Sequence, residues 1–225
     1  MAKRFKSIKR KWRKFKNKFR PRIELKGKNY EVASAMLLDV ARICEANDID
    51  YAIDSGTLLG LVRDGDLIPW DFDIDLTLPS TEVEKFQRII PEIRDCGWRV
   101  SGEYLMSKDD AAWRQGDIRS IKMRNHRFPS LRIGRGRVAL DIFITYEHNG
   151  YRWWAFKGLV CRVSAHHFKS RETMIYKGQA LKLPTDYEAM LEALYGSDWR
   201  IPDPSFKASV KDESIVGKMG ESSNL

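Results

Sequence analysis

The stretch Trp70-Asp71-Phe72-Asp73-Ile74-Asp75-Leu76-Thr77-Leu78 alternates acidic with other side chains and then turns apolar. Successive residues of a strand point to opposite faces, so Asp71, Asp73 and Asp75 project together while Phe72, Ile74 and Leu76 line the other face. Three like charges on one face repel, and a divalent cation between them relieves that repulsion. Carboxylate oxygens are hard ligands that suit Mg²⁺ or Mn²⁺, and those ions bind phosphate in turn. A solvated acidic edge strand would show the same pattern, so the surrounding sequence has to decide.

Two neighbouring segments favour a site. Upstream, Ser55-Gly56-Thr57-Leu58-Leu59-Gly60-Leu61 opens like a helix, with Ser55 able to cap it and Gly56 allowing close backbone approach. Free N–H groups at such a start meet phosphate oxygens, and Arg63 could clamp them bidentately. Downstream, Val138-Ala139-Leu140-Asp141-Ile142-Phe143-Ile144 carries a single acid in an apolar strand. A buried aspartate without a partner is costly, which places Asp141 at the same metal site from an adjacent strand. Three carboxylates on two strands beside a glycine-containing turn form the nucleotidyltransferase-fold arrangement for metal-assisted phosphoryl transfer. Lys122 is either a second phosphate-facing cation or an ordinary exposed strand lysine.

Further out, apolar residues at helical spacing predict a helix over 31–44, followed by a short strand at 49–53. Pro79-Ser80-Thr81 predicts a helix start, with Glu84 completing a capping box on Thr81 and Pro91 kinking or dividing the helix before 95–97. Strands are expected at 98–104, 117–124, 130–133 and 138–146, with an aromatic hairpin around 151–156. A helix over 186–195 should end on Gly196, and the polar end after 206 should fray. The plan is α+β, a mixed sheet flanked by helices over 28–205.

The 225 residues suit one domain, and 43% apolar with 11% aromatic residues excludes a disordered polymer. No run approaches the roughly 18 apolar residues of a membrane span, and no apolar signal segment follows the basic start. Cys44, Cys96 and Cys161 are too far apart for a zinc knuckle and read as reduced thiols, so a cytoplasmic location is expected.

The net charge of +9 is not spread evenly. Residues 1–22 hold twelve Lys/Arg and no acid, leaving 28 basic against 31 acidic side chains in the rest. Phe5, Ile8, Trp12, Phe15 and Phe19 fall on one helical stripe within this arm. An amphipathic basic helix of that kind suits an anionic membrane surface, met by residues 1–20 at its inner face. The same pattern fits a helix packed on the body, or an arm that grips RNA phosphates. The net acidic body speaks against a nucleic-acid enzyme, which spreads positive potential around its cleft. His166-His167 lacks a third ligand at metal spacing, while Trp153-Trp154 and Gly134-Arg135-Gly136-Arg137 fit core packing and a strand connection as well as ligand contact.

Ser55 to Arg63, followed by Asp66-Leu67-Ile68-Pro69-Trp70-Asp71-Phe72-Asp73-Ile74-Asp75, closely resembles the signature of the LicD family, a nucleotidyltransferase branch that includes the fukutin-type proteins. Leu140-Asp141-Ile142-Phe143 is similar to that family's third-carboxylate strand. Leu183-Pro184-Thr185-Asp186-Tyr187, Leu191, Leu194 to Trp199 and Pro202 resemble its late block, so the likeness spans about 30–205. Phe72 stands where many relatives carry a further aspartate, and Asp64-Gly65 follows Arg63 where bacterial relatives often have a histidine. These departures bear on specificity rather than chemistry.

The resemblance implies transfer of a phospho-alcohol, such as phosphocholine or a polyol phosphate, from a CDP-linked donor to a glycan or lipid-linked glycan hydroxyl. In that reading Asp73, Asp75 and Asp141 hold the metal, and Ser55, Gly56, Thr57, Arg63 and Lys122 hold the donor phosphates. Asp71 plays a supporting part. The alternative is nucleotidyl transfer to RNA or protein.

Overall fold

The computed structural model describes residues 23–125, 138–206 and 214–219. Apolar residues recurring every three or four positions form helix α1 (Lys28–Ala46), which buries Met36, Leu37, Val40 and Ile43. Strand β1 (Ala52–Ile53) leads into helix α2 (Ser55–Asp64) and strand β2 (Asp73–Pro79). After a 3₁₀ turn at Ser80–Glu82 come helix α3 (Val83–Asp95), then strands β3 (Trp98–Leu105), β4 (Ile118–Asn125) and β5 (Ala139–His148). Two hairpins follow, β6 (Tyr151–Phe156) with β7 (Leu159–Ser164) and β8 (Arg171–Tyr176) with β9 (Gln179–Pro184). Helix α4 (Tyr187–Tyr195) and strand β10 (Ile215–Lys218) complete the described elements.

Strand β5 organises the main sheet. It runs parallel to β2 from Asp73↔Ala139 to Pro79↔Thr145. Its first residues pair antiparallel with β4 and its last with β6. Beyond those neighbours lie β1 and β3 on one part of the sheet, and β7 and β10 on the other. The sheet is therefore mixed and flanked by helices, the α+β architecture that the sequence predicts.

The pleat sorts the side chains. Ile74, Leu76 and Leu78 of β2 and Leu140, Ile142 and Ile144 of β5 enter one core with Met36, Leu37, Phe86, Ile89 and Ile93 of α1 and α3. Burying each such side chain is worth roughly 1.5–3 kcal/mol, so a one-residue slip of β2 that swapped its faces would be prohibitive. The odd-numbered residues Asp73, Asp75 and Asp141 are thereby fixed on the face away from α1 and α3.

Several local expectations are corrected. Asp54, not Ser55, caps α2: its Oδ1 accepts from the Ser55 N–H at 2.7 Å, and Ser55 opens the helix at φ 49°. The strand before it is only two residues long. Thr81 and Glu84 form no capping box, because a 3₁₀ turn precedes α3 and no side chain caps it. Pro91 neither divides nor ends α3; Phe86, Ile89 and Ile93 anchor the helix on both sides of it. The polar end is not frayed throughout, since Ile215–Lys218 pairs antiparallel with β7 and Val216 packs beside Trp113 and Trp153.

The arm at 1–22, the expected strand at 130–133 and the basic turn at 134–137 lie outside the described residues. Among the described residues no helix is long and apolar enough to cross a membrane.

Candidate active site

The parallel register sets Asp75 of β2 directly beside Asp141 of β5, with Asp73 two residues earlier on the same face. One carboxylate oxygen from each lies within 4.8 Å of the others. Burial pushes the Asp73 carboxyl up to about 7, and the negative charges of Asp71 and Asp141 add to that rise. Lys122 and Lys157 pull it the other way. Asp75, only 9% exposed, is driven well above the carboxylate range by burial first and by its acidic neighbours second.

Strand β4 brings one cation directly to the cluster. Lys122 is in register with Asp141, and its Nζ lies 2.7 Å from Asp141 Oδ2. Lys122 is thus ion-paired to the carboxylate cluster and is not a freely exposed strand lysine. Asp141 Oδ1 is buried with no hydrogen-bond partner. A buried carboxylate oxygen without a donor costs free energy unless another positive group meets it. Three close, repelling oxygens and one lysine fit a hard divalent cation such as Mg²⁺ or Mn²⁺.

Helix α2 is stitched to this strand on both sides of Asp75. The Asp75 N–H donates to Thr57 Oγ1 at 2.9 Å, and the Asp54 N–H donates to the Asp75 carbonyl at 3.1 Å. Thr57 is buried, so the structure gives it the task of holding β2 rather than of facing a ligand. Gly56 has a steric reason to be glycine: a Cβ there would collide with the Asp71 carboxylate. At the Gly56 Cα itself, the Asp71 carboxylate takes the close approach that a side chain would otherwise fill.

Asp71 differs from its expected place. Strand β2 begins at Asp73, and Asp71 sits in the loop before it, with its carbonyl accepting from the Leu25 N–H at 2.9 Å. Burial raises its carboxyl against the opposing pull of the Phe72 amide bond, and its charge still acts on Asp73 and Asp75. Arg63 lies in the last turn of α2, about 12 Å along the axis from Ser55. Its guanidinium forks onto Asp64 at 2.8 and 2.7 Å. The structure therefore joins Asp73, Asp75, Asp141 and Lys122 tightly, sets Asp71, Ser55, Gly56 and Thr57 around them, and binds Arg63 to Asp64.

Two cavities open near this region. The larger, about 480 Å³, is lined by Leu25, Tyr30, Asp66, Trp70 and Pro202 among others and includes none of the three clustered carboxylates. The smaller, about 160 Å³, includes Asp141 and Lys122 together with Tyr104, Arg119, Phe156 and Lys157. Sequence reading does not find the last four. Lys157 and Phe156 arrive by the fold-back of a hairpin, which leaves no local signal. Asp54 is likewise not found by sequence reading, which takes Ser55 as the cap.

Paired carboxylates on one strand, a third on its parallel neighbour and a helix start bonded to the first strand define a nucleotidyltransferase-type domain. The chain belongs to the LicD/FKTN/FKRP family: the family model described as the LicD/FKTN/FKRP nucleotidyltransferase domain matches residues 48–186. Human ribitol 5-phosphate transferase FKRP is 38% identical over 50 residues, which are 22% of this chain and 10% of that protein. The lipopolysaccharide cholinephosphotransferase LicD of Haemophilus influenzae is 41% identical over 44 residues, 20% of this chain and 17% of that enzyme. The matched stretches thus span less than a fifth of either relative. Among solved structures, ANT(2")-Ia in complex with adenylyl-2"-tobramycin aligns with a TM-score of 0.42 at 16% identity, covering 78% of this chain and 82% of that one.

Proposed function

We propose that this chain is a metal-dependent phosphotransferase that moves a phospho-alcohol from a CDP-linked donor to a glycan or glycolipid hydroxyl, with CMP as the leaving group. The observation that carries this reading is the carboxylate cluster: oxygens of Asp73, Asp75 and Asp141 within 4.8 Å, with Asp141 Oδ1 left without a donor. Family membership supports it, because named members transfer ribitol 5-phosphate and cholinephosphate.

Asp73, Asp75 and Asp141 would hold Mg²⁺ or Mn²⁺, which when bound neutralises charge on the donor diphosphate and stabilises the departing CMP. The chain's own groups do the rest. Ser55 and Gly56 at the start of α2 border the donor side, and Asp71 supports the cluster from the preceding loop. Lys122 faces the same charge, its Nζ 2.7 Å from Asp141 Oδ2. Asp141 lines the cleft beside Lys122, and its carboxylate would take the acceptor hydroxyl's proton. The acceptor oxygen bonds to the phosphorus bearing the alcohol, the phosphoanhydride bond breaks, and CMP leaves with that bond's electrons.

The test is CMP release with Mg²⁺ from CDP-choline, CDP-ribitol, CDP-glycerol and CDP-ethanolamine, with CTP and ATP as controls. The expected result is CMP from one CDP-alcohol, abolished in Asp73→Ala. Turnover of CTP or ATP with none of the CDP-alcohols would overturn the reading in favour of nucleotidyl transfer. Residues 1–20 would bring the enzyme to an anionic membrane carrying its acceptor, a reading that rests on their basic and aromatic pattern. Vesicle co-sedimentation unchanged by their deletion would contradict it.

A further inference from the structure

The cleft beyond Asp141 has properties that the metal cluster does not explain. Sheet order places β1 and the start of α2 on one side of β2, and β5, β4 and β3 successively on the other. The cleft of Tyr104, Arg119, Phe156 and Lys157 therefore lies across the carboxylates from Ser55 and Gly56. In-line displacement needs the attacking and leaving oxygens on opposite sides of the phosphorus. A donor lodged on the α2 side leaves this cleft for the acceptor, with the Asp141 carboxylate on its wall.

The cleft is cationic. Lys122 is engaged by Asp141, but among the described residues neither Arg119 nor Lys157 forms an ion pair, although the Lys157 charge also reaches Asp73. Each lies over a ring of the same cleft instead: Arg119 stands 5.7 Å from the Tyr104 centroid and Lys157 4.3 Å from that of Phe156. Lys157 also adopts φ 50° at the β6–β7 turn, where asparagine, aspartate or glycine is the ordinary choice. Unpaired cations gathered in one cleft raise a local positive potential that attracts an anion. At about 160 Å³ the space falls below the 300–1,000 Å³ of sites for drug-sized ligands, so it admits about one ring. Tyr104, 44% exposed in its lining, offers an apolar shelf for whatever leaves it.

We infer that this cleft is an acceptor subsite for a phosphorylated sugar, with Lys157 and Arg119 binding the phosphate and Tyr104 and Phe156 flanking the ring. The inference rests on the phosphotransfer reading above for the word acceptor, but the binding it asserts does not. The experiment is saturation-transfer NMR with N-acetylglucosamine 6-phosphate and N-acetylglucosamine as probes, without donor or divalent ion, on the full chain. The expected result is binding of the phosphorylated probe at least tenfold tighter than the plain sugar. Lys157→Ala and Arg119→Ala should each weaken it at least fivefold, with unchanged melting temperature; Lys157→Arg should restore much of it. Equal binding of the two probes, no binding of the phosphorylated one, or variants that bind like wild type would overturn the subsite. Because no donor is present, turnover of CTP or ATP with none of the CDP-alcohols would sink the phosphotransfer reading and leave this result standing on its own.

Discussion

Asp66 and Asp75 lie nine residues apart and meet opposite fates. Asp66 Oδ2 accepts from the Tyr30 hydroxyl at 2.6 Å, while Oδ1 accepts from the Tyr176 hydroxyl at 2.7 Å and the Leu67 N–H at 2.8 Å. Burial alone would raise its carboxyl, but these bonds and the nearby Lys177 charge hold it below the usual carboxylate value. Around Asp75 the balance reverses: the neighbours are acids, and both Asp73 and Asp75 are pushed upward. The first carboxylate is a structural tie between α1, the loop after α2 and the β8–β9 hairpin. The second belongs to a cluster held together without enough donors of its own. Donor supply, rather than acid count, separates a structural tie from a carboxylate cluster that could hold a metal ion.

The largest effect that separates the two is on turnover. Asp75→Asn should lower CMP release by about 10³-fold or more, since a metal contributes several kcal/mol to the transition state. Asp66→Ala should lower stability instead, by about 3 kcal/mol from three lost bonds to a charged acceptor, as measured by urea unfolding. A turnover loss in Asp66→Ala larger than that in Asp75→Asn would break the comparison.

A smaller effect appears in the pH dependence of the metal-free chain. Asp73 is raised to about 7, so its charged form opposes folding: its contribution to stability falls as pH rises from about 4 to 7. Asp73→Asn should remove that slope, worth on the order of 2 kcal/mol for a partly exposed group. Asp66 is lowered, so its contribution is present above the ordinary carboxylate range and is lost as pH falls through its depressed value. Unfolding curves at pH 3, 5 and 8 on Asp73→Asn and Asp66→Ala should therefore shift with opposite sign.

The sequence made the carboxylate cluster legible because its signals are local and strong. Alternation in β2 and a single acid in an apolar β5 name Asp73, Asp75 and Asp141 without any knowledge of pairing. Lys122 stayed ambiguous because only the antiparallel register with Asp141 turns a common strand residue into a site residue. Asp71 read as part of the strand because the acid–apolar alternation continues through Phe72, yet backbone bonds to Leu25 and Ile68 hold it in the loop. Thr57 and Arg63 were drawn toward phosphate by proximity in sequence, whereas their bonding partners are the Asp75 amide and Asp64. Lys157 and Arg119 left no local trace, since a hairpin and a strand edge meet only in the folded chain.

The most direct test is titration calorimetry of Mn²⁺ and Mg²⁺ at pH 8 into the wild-type chain, Asp75→Asn and Asp66→Asn. Binding in the wild type that is lost at least a hundredfold in Asp75→Asn and kept in Asp66→Asn is the predicted result. Equal metal affinity in the wild type and Asp75→Asn would contradict the assignment of these carboxylates as the metal centre.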